Sequence, residues 1–420
     1  MVKKLFYASM LLCFFPIMGC TYQWDSEREF TNNIDGLDGG LLNVYDDRVY
    51  FLVNRQEKIT FKDIRDQDGN YLDSVYAEDW MRDVSELSNR VYTELYRGFN
   101  NQPVEKIFSK QSQNSSLSIS DDKKTIYIST EFLDYKIATV VPTNDPNYDR
   151  KIYFYNLYKS IDGGSNFKAM PWNSTNSIKQ ILFDSTGVYG YGLGSDRTLW
   201  RTDDGAETWK KIKIPKEFQL IQTKDRADRP HVSYDWDAFY FDQKTKTLYL
   251  SCFVHDKAVK GKGKSIIYAV PWDANLVDLN SLQPVATVEN QFVTDIKLAG
   301  ENKFYLLTEV YGFERYHTSM EFKNSHFIVL DQNRITLDHD FGKKYLLGAF
   351  FQGKDNLLYI IGMKEVGIGS YDDIAFISHD GGKNWREEKE GRWLQGNYFD
   401  PESNKAWAYK RGKLYSRTID

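Results

Sequence analysis

One short pattern occurs three times in this chain, each time directly after a run of apolar residues. The copies lie at residues 157–164, 199–205 and 377–385. Each copy is a short strand-like segment followed by Ser or Thr, any residue, Asp and Gly, with an aromatic residue a few positions later. A unit that recurs in this way predicts a fold built from repeated supersecondary elements.

The residue types of this pattern suit a tight turn that follows a strand. An aspartate there can accept hydrogen bonds from the backbone N–H groups of its own turn. Glycine adopts turn conformations that a Cβ atom resists, and an aromatic ring can cover the hairpin. The positions concerned are Asp162, Gly164 and Phe167, then Asp204, Gly205 and Trp209, and then Asp380, Gly382 and Trp385. We expect these nine residues to be structural rather than catalytic.

The pattern resembles the Asp-box, or BNR-type repeat, of bacterial sialidase-like β-propellers. This resemblance implies a propeller scaffold over residues 110–420. It does not extend to a sialidase active site, because the Arg-Ile-Pro motif of those enzymes is absent and Arg334-Ile335-Thr336 is the nearest spelling. A propeller scaffold hosts unrelated activities, so the fold by itself implies no reaction. Because the sialidase motif is absent, we expect no catalytic residues and no enzymatic activity.

Strand-turn-strand units recur along the rest of the chain and predict the number of blades. Apolar runs flank short polar turns at 40–53, 116–129, 180–191, 237–253, 293–307, 346–361 and 396–409. Such runs are typical of β-hairpins. We therefore expect an all-β fold, a single β-propeller over residues 39–420 with seven four-stranded blades, although six or eight remain possible. The strand at 413–420 needs a closing partner, which we expect from residues 28–55.

One segment interrupts the β pattern. Tyr76, Trp80, Val84, Leu87, Val91 and Leu95 are spaced as on one face of an amphipathic helix. The sequence therefore predicts an inserted helix over residues 74–98, packed on the side of the propeller.

The first residues predict where in the cell the protein is located. Residues 1–19 combine Lys3 and Lys4 with an apolar run that is too short to span a bilayer. They end at Gly19-Cys20, which resembles the lipobox of bacterial lipoproteins and implies acylation of Cys20. An ordinary secretory signal is the alternative. We expect residues 20–38 to be a lipid-anchored linker and the protein to lie at the outer membrane, facing the periplasm.

Composition narrows the classes of ligand. A formal net charge of −5 and the lack of a Lys/Arg run argue against nucleic acid. Three cysteines, of which Cys13 lies in the signal and Cys20 at the proposed acylation site, leave Cys252 without a partner for a disulfide. The six histidines show no metal-binding spacing. We expect no cofactor and no metal.

Two polar segments rich in aromatic residues and arginine are candidates for partner binding, because these residue types are enriched at binding hot spots. The first contributes Arg226, Arg229, His231, Tyr234 and Trp236, and the second contributes Tyr311, Glu314, Arg315, Tyr316 and His317.

The sequence thus predicts an envelope lipoprotein whose propeller binds another protein, as a scaffold, an assembly factor or an immunity protein against a secreted antibacterial effector. The alternative is a carbohydrate-binding propeller or a diverged glycoside hydrolase.

Overall fold

All the β-sheets that the structure describes are antiparallel. The computed structural model describes residues 25–29, 41–45, 47–56, 91–112, 114–133, 153–171, 178–194, 198–212, 223–224, 230–231, 238–255, 263–271, 283–310, 324–367, 370–390, 398–410 and 413–420. These residues form seven four-stranded sheets and one two-stranded sheet. The predicted seven-bladed β-propeller is therefore confirmed.

The first three blades follow one another along the chain. Blade 1 consists of β2 (Leu41–Val44), β3 (Arg48–Gln56), β4 (Val91–Phe99) and β5 (Glu105–Gln111). Blade 2 consists of β6 (Asn114–Ile119), β7 (Ile126–Leu133), β8 (Tyr153–Ser160) and β9 (Lys168–Ala169). Blade 3 consists of β10 (Ile178–Phe183), β11 (Gly190–Gly194), β12 (Leu199–Thr202) and β13 (Lys210–Ile212). The two-stranded sheet comes next, with β14 (Thr223–Lys224) and β15 (Pro230–His231).

The remaining blades complete the ring. Blade 4 consists of β16 (Ala238–Asp242), β17 (Thr247–His255), β18 (Gly263–Pro271) and β19 (Ala286–Glu289). Blade 5 consists of β20 (Gln291–Gly300), β21 (Lys303–Val310), β22 (Ser325–Asp331) and β23 (Arg334–Gly342). Blade 6 consists of β24 (Tyr345–Gln352), β25 (Leu358–Gly367), β26 (Ser370–Ser378) and β27 (Arg386–Lys389). Blade 7 consists of β28 (Tyr398–Asp400), β29 (Lys405–Lys410), β30 (Lys413–Thr418) and β1 (Asp25–Glu29).

The hydrophobic core is divided among the contacts between neighbouring blades. Leu250 and Cys252 of blade 4, for example, share one buried cluster with Tyr191 and Leu193 of blade 3. Because both faces of a blade are covered by neighbours, central strands bury consecutive side chains, as at residues 304–308 of β21. Cys252 is buried in this cluster.

The ring closes by pairing the two ends of the described chain. Strand β1 pairs with β30 in antiparallel register, with Asp25 opposite Ser416 and Glu29 opposite Lys413. The expected partner for the C-terminal strand therefore exists, but it begins before the expected window of residues 28–55. It lies in the segment 20–38 that the sequence suggested to be a linker.

The predicted helix over residues 74–98 is wrong for the part that the structure describes. Residues 91–99 form strand β4, and Gly98, expected at the helix end, lies inside that strand. Val91 and Leu95 fit a helical spacing by coincidence, because β4 buries residues 93–96 one after another and so lacks the alternation that marks a half-buried strand. Residues 74–90 lie outside the described residues.

Blades 6 and 7 are joined by buried charges as well as by apolar contacts. Arg417 Nη1 donates to Glu390 Oε1 at 2.7 Å, and Arg417 Nη2 donates to Glu388. Tyr359 Oη donates to the same Glu390 oxygen at 3.0 Å. All four side chains are buried. Burial and the charge of Glu390 raise the pKa of Tyr359 well above its ordinary value, so its hydroxyl remains a donor.

Candidate functional site

The ring has two unlike ends. Each blade is an antiparallel meander, so the connections between its first and second and between its third and fourth strands lie at one end, which we call the turn end. The connections between second and third strands and those between blades lie at the opposite end, the loop end. Long segments of sequence leave from the loop end, at 57–90, 134–152, 213–237 and 311–323. At the turn end, residues 272–285 are the longest connection.

The turn end is held by the three repeat turns, at residues 160–167, 202–209 and 378–385. In the first, Ser160 Oγ donates to Asp162 Oδ1 at 2.8 Å, and the backbone N–H of Asn166 donates to the same oxygen at 2.9 Å. The N–H of Gly164 donates to Ser160 Oγ at 2.9 Å. The same bonds recur around Asp204 and Asp380. Each aspartate carboxylate thus accepts hydrogen bonds from groups of its own turn.

These bonds keep the aspartates ionised. The side-chain amide and backbone N–H of Asn166 lower the pKa of Asp162 to about 2. The backbone N–H and side chain of Asn384 do the same for Asp380, whose pKa is also about 2. For Asp204, burial raises the pKa, but the hydrogen bonds from Thr208, Thr202 and the Glu207 backbone together lower it. An ionised acceptor strengthens the bonds that define the turn.

The aromatic residues of the repeat turns contact aromatic rings of their surroundings. Phe167 packs edge-on against Phe108 of blade 1 at 5.0 Å between ring centroids. Trp385 packs against Phe327 of blade 5 at the same separation, 5.0 Å. Trp209 instead contacts Phe183 of its own blade, at 6.2 Å. Trp209 also packs against a buried cluster that includes Tyr127 and Leu157 of blade 2. The aromatic residues of the repeat turns therefore contribute to the contacts between neighbouring blades.

The predicted partner-binding residues fall on connections of the loop end. His231 lies in β15, where it is opposite Thr223. The other nine lie outside the described residues, and they are Arg226, Arg229, Tyr234, Trp236, Tyr311, Glu314, Arg315, Tyr316 and His317. Cys20 also lies outside them.

The base of the connection 311–323 carries a polar cluster. Strands β21 and β22 remain paired up to the connection, with Glu309 opposite Ser325. His326 Nδ1 lies 2.7 Å from Asp338 Oδ1, and Asn324 Nδ2 donates to Asp340 Oδ2 at 3.0 Å. The two carboxylates are partly exposed. They present hydrogen-bond acceptors beside the candidate segment.

Sequence reasoning missed this cluster. The signal was the alternation Asp338-His339-Asp340, which places both carboxylates on one face of a strand. Burial lowers the pKa of His339, although the two aspartates oppose this shift. The register of β22 and β23 brings His326 opposite Asp340. No local sequence pattern specifies this register.

A second polar cluster lies at the loop end of blade 1, where the connection 57–90 enters β4. Glu94 is buried and accepts hydrogen bonds from Tyr96 Oη at 2.5 Å and Lys106 Nζ at 2.9 Å. Burial raises the pKa of Glu94, but these bonds and the charges of Arg55 and Lys106 lower it overall. The cluster therefore fixes an ionised carboxylate beneath the connection.

The first strands of the blades face the centre of the ring, since neighbouring first strands such as β6 and β10 contact each other. Asp295 and Lys297 on β20 form an ion pair at 2.7 Å. The Lys297 ammonium also lies 5.7 Å from the ring centre of Tyr240 and 5.9 Å from that of Phe350. None of the seven first strands, as the structure bounds them, contains an arginine.

Other kinds of site can be tested within the described part of the chain. No group of three or more His, Cys, Asp or Glu residues there is placed to hold a metal ion. No helix among those residues is long and apolar enough to cross a membrane.

No family model matches the sequence, and no curated protein matches it. Solved structures do match. "YCF48 bound to D1 peptide" aligns with a TM-score of 0.50 and 10% identity, over 95% of this chain and 96% of that one. A GH74 enzyme from Niastella koreensis aligns with a TM-score of 0.44 and 11% identity, over 78% of this chain and 50% of that one. YCF48 from Cyanidioschyzon merolae aligns with a TM-score of 0.41 and 11% identity, over 78% and 92% of the chains. The first likeness shows a shared propeller fold.

Proposed function

We propose that this protein is a lipoprotein, anchored through Cys20 to the outer membrane and facing the periplasm, whose propeller binds another protein through its loop end. The main support for this proposal is that most of the long connections leave the ring at one of its two ends. Four long segments, including both predicted partner-binding segments, leave the ring at the loop end. Binding residues are disproportionately found on loops held by a rigid scaffold.

The turn end supports the same assignment. Its three repeat turns satisfy their own carboxylates and N–H groups, which suits a structural role. We propose that they are Asp-boxes in the BNR sense, because the sequence pattern and the bonding pattern agree at all three.

The lipid anchor is supported by the sequence of residues 1–20, in which a basic start and an apolar run precede Gly19-Cys20. Two or more acyl chains hold a protein firmly at a membrane. The anchor holds the protein at a membrane but does not recognise a protein partner. We therefore assign the binding of the partner to the propeller.

A protein partner is supported by the propeller of YCF48, which has been solved with a bound peptide. The partner would make this chain a scaffold, an assembly factor or an inhibitor such as an immunity protein. The Arg-Ile-Pro motif of sialidases is absent from the sequence, and the described first strands contain no arginine. We therefore propose a non-catalytic role rather than glycoside hydrolysis.

Replacement of one loop tests this proposal. The ends of the connection 311–323 are adjacent, since the N–H of Val310 donates to the carbonyl oxygen of Asn324 at 3.0 Å. A two-residue Asn-Gly turn can join strands in such register. We expect a variant with this turn in place of residues 311–323 to keep its thermal stability but to lose a protein that co-purifies with the wild type from envelopes.

A matched control changes the turn end. Lys244→Ala alters an exposed residue in the turn between β16 and β17 of blade 4, and we expect it to retain the partner. Arg315→Ala and Arg229→Ala then locate the binding residues within the two segments. Retention of the same partner by the loop variant and by both arginine variants would contradict binding through these segments. Cleavage of a sialoside by the purified protein would contradict the non-catalytic role.

A further inference from the structure

Strand β1 fixes where the start of the folded chain leaves the ring. Strand β30 runs from Lys413 at the loop end to Thr418 at the turn end. Because β1 is antiparallel to it, with Asp25 opposite Ser416 and Glu29 opposite Lys413, residue 25 lies towards the turn end. Strand β1 is also the outermost strand of blade 7, paired only with β30 in the described sheet. The chain therefore enters the ring at the turn-end rim of blade 7.

The distance from this point to Cys20 is short. Only residues 21–24 separate Cys20 from Asp25. A fully extended chain advances at most about 3.6 Å per residue, so these five steps reach no more than about 18 Å. Strand β25, by comparison, has ten residues and spans about 30 Å at about 3.3 Å per residue. Strand β1 itself has five residues and spans about 13 Å, so a tether folded back along it would use most of its reach to pass Glu29 and would still fall short of the loop end of a strand as long as β25. A tether that continues from Asp25 brings the membrane to the turn end.

We infer that the turn-end rim of blade 7 lies next to the lipid bilayer and that the loop end faces away from it. This inference rests on the proposed acylation of Cys20. It does not require a basic surface, because a short covalent tether holds the rim near the bilayer whatever its charge. At this rim, Arg386 Nη2 of blade 6 donates to the carbonyl oxygen of Asp420 at 2.5 Å.

The orientation has a consequence for the partner. The connections 57–90, 134–152, 213–237 and 311–323 would all leave the ring on the side away from the lipid. The partner would therefore approach from the aqueous compartment, and its recognised part would be a soluble protein or the water-exposed part of a membrane protein rather than a segment within the bilayer.

The cysteine content makes this orientation measurable. Cys252 is buried, so a cysteine introduced on the surface of the acylated protein can be labelled selectively. Thr418→Cys places a fluorophore at the turn end of β30, and Val366→Cys places one at the loop end of β25, where Val366 is 52% exposed. Both labelled proteins are reconstituted in full-length acylated form into phosphatidylcholine vesicles that contain a lipid with a nitroxide headgroup.

The nitroxide quenches only at short range. We expect several-fold stronger quenching at position 418 than at position 366. Equal quenching at both positions, or stronger quenching at 366, would overturn the orientation. A variant with 20 Gly/Ser residues inserted after Tyr22 should lose most of the difference, and a difference that persists would show that the tether does not set the orientation.

A separate measurement distinguishes failure of the anchor from failure of the orientation. Cys20→Ser should move the protein from the membrane fraction to the soluble fraction, and mass spectrometry should find acyl chains on the N-terminal peptide of the wild type. If Cys20→Ser stays in the membrane fraction and no acyl chains are found on the wild type, the proposed anchor is contradicted. Acylated protein that shows no preference in quenching would overturn only the orientation.

Discussion

The hydroxyl group of Tyr127 in blade 2 donates to the carbonyl oxygen of Gly205 in blade 3, at 3.0 Å. Gly205 belongs to a repeat turn, and the same hydroxyl lies 2.7 Å from the carbonyl oxygen of Gly187. Tyr50 of blade 1 makes a longer contact of the same kind with the carbonyl oxygen of Gly163 in blade 2, at 3.4 Å. The first two repeat turns thus accept a hydrogen bond from a tyrosine of the preceding blade, so they join blades as well as close hairpins.

Tyr127→Phe should destabilise the protein by about 0.5–1.5 kcal/mol, because the single hydroxyl proton is shared between the two carbonyl oxygens and one buried hydrogen bond contributes about 0.5–1.5 kcal/mol net. Lys159 Nζ also donates to Gly205 O, at 2.9 Å, which limits the loss. Urea unfolding measures the change. Tyr50→Phe is the matched control, and its longer contact predicts a smaller effect. An effect of Tyr50→Phe as large as that of Tyr127→Phe would contradict this explanation.

Two glycines separate the steric from the conformational cost of a side chain. Gly382 has φ +90°, and a Cβ there would lie 2.1 Å from Phe327 Cε1. Gly342 has a similar φ of +85° with no atom within 4 Å of its Cβ position. A left-handed conformation costs an L-residue about 1–2 kcal/mol, and overpacking adds about 1–3 kcal/mol. In urea unfolding, Gly382→Ala should therefore lower stability more than Gly342→Ala, and equal losses would exclude the clash with Phe327.

Arg417→Met should cost about 3–5 kcal/mol at neutral pH, since it leaves the buried Glu390 without its cation and leaves the buried Glu388 with only the exposed Arg386, at 2.8 Å. The loss should shrink as the pH falls, because protonation removes the uncompensated charge. The triple variant Arg417→Met, Glu388→Gln, Glu390→Gln should recover much of the stability. Chemical denaturation of the three proteins at pH 7 and pH 5 tests both statements. A triple variant no more stable than Arg417→Met would show that lost packing, not buried charge, causes the defect.

Acid should weaken the repeat turns. The pKa of Asp380 is about 2 in the fold against 3.8 for the unperturbed group, so the unfolded chain binds the proton more tightly. The stabilisation is therefore complete above the unfolded value and is lost as the pH falls through 3.8 towards 2. Asp380→Asn removes this titration, and the midpoint of thermal unfolding should then depend less steeply on pH between 4.5 and 2.5. An unchanged slope would mean that Asp380 does not contribute to acid unfolding.

Local patterns were sufficient for the hairpins. Each of the seven predicted strand-turn-strand units corresponds to the first two strands of one blade, because alternation and turn residues act between neighbours in the chain. They failed at Val91 and Leu95, where a strand covered on both faces shows the apolar spacing of a helix.

The polar clusters of the loop end could not be predicted in the same way. Glu94 meets Lys106 and Arg55 across three strands of blade 1, and His326 meets Asp338 across a strand pair. Their separations in sequence follow from loop lengths and register, which no local pattern specifies.

The sequence by itself determined the repeat turns and the β architecture, because a hairpin and its turn are stabilised by groups only a few residues apart. It favoured seven blades over six or eight, and the tertiary structure fixed that number. The tertiary structure decided how the ring closes. The pairing of Asp25–Glu29 with Lys413–Thr418 joins strands that are nearly 400 residues apart in the chain, and the ring of blades brings them together. Tertiary structure also decided that four of the five longest connections leave at one end, while 272–285 leaves at the other, because only alternation of strand direction within the blades separates the two ends in space.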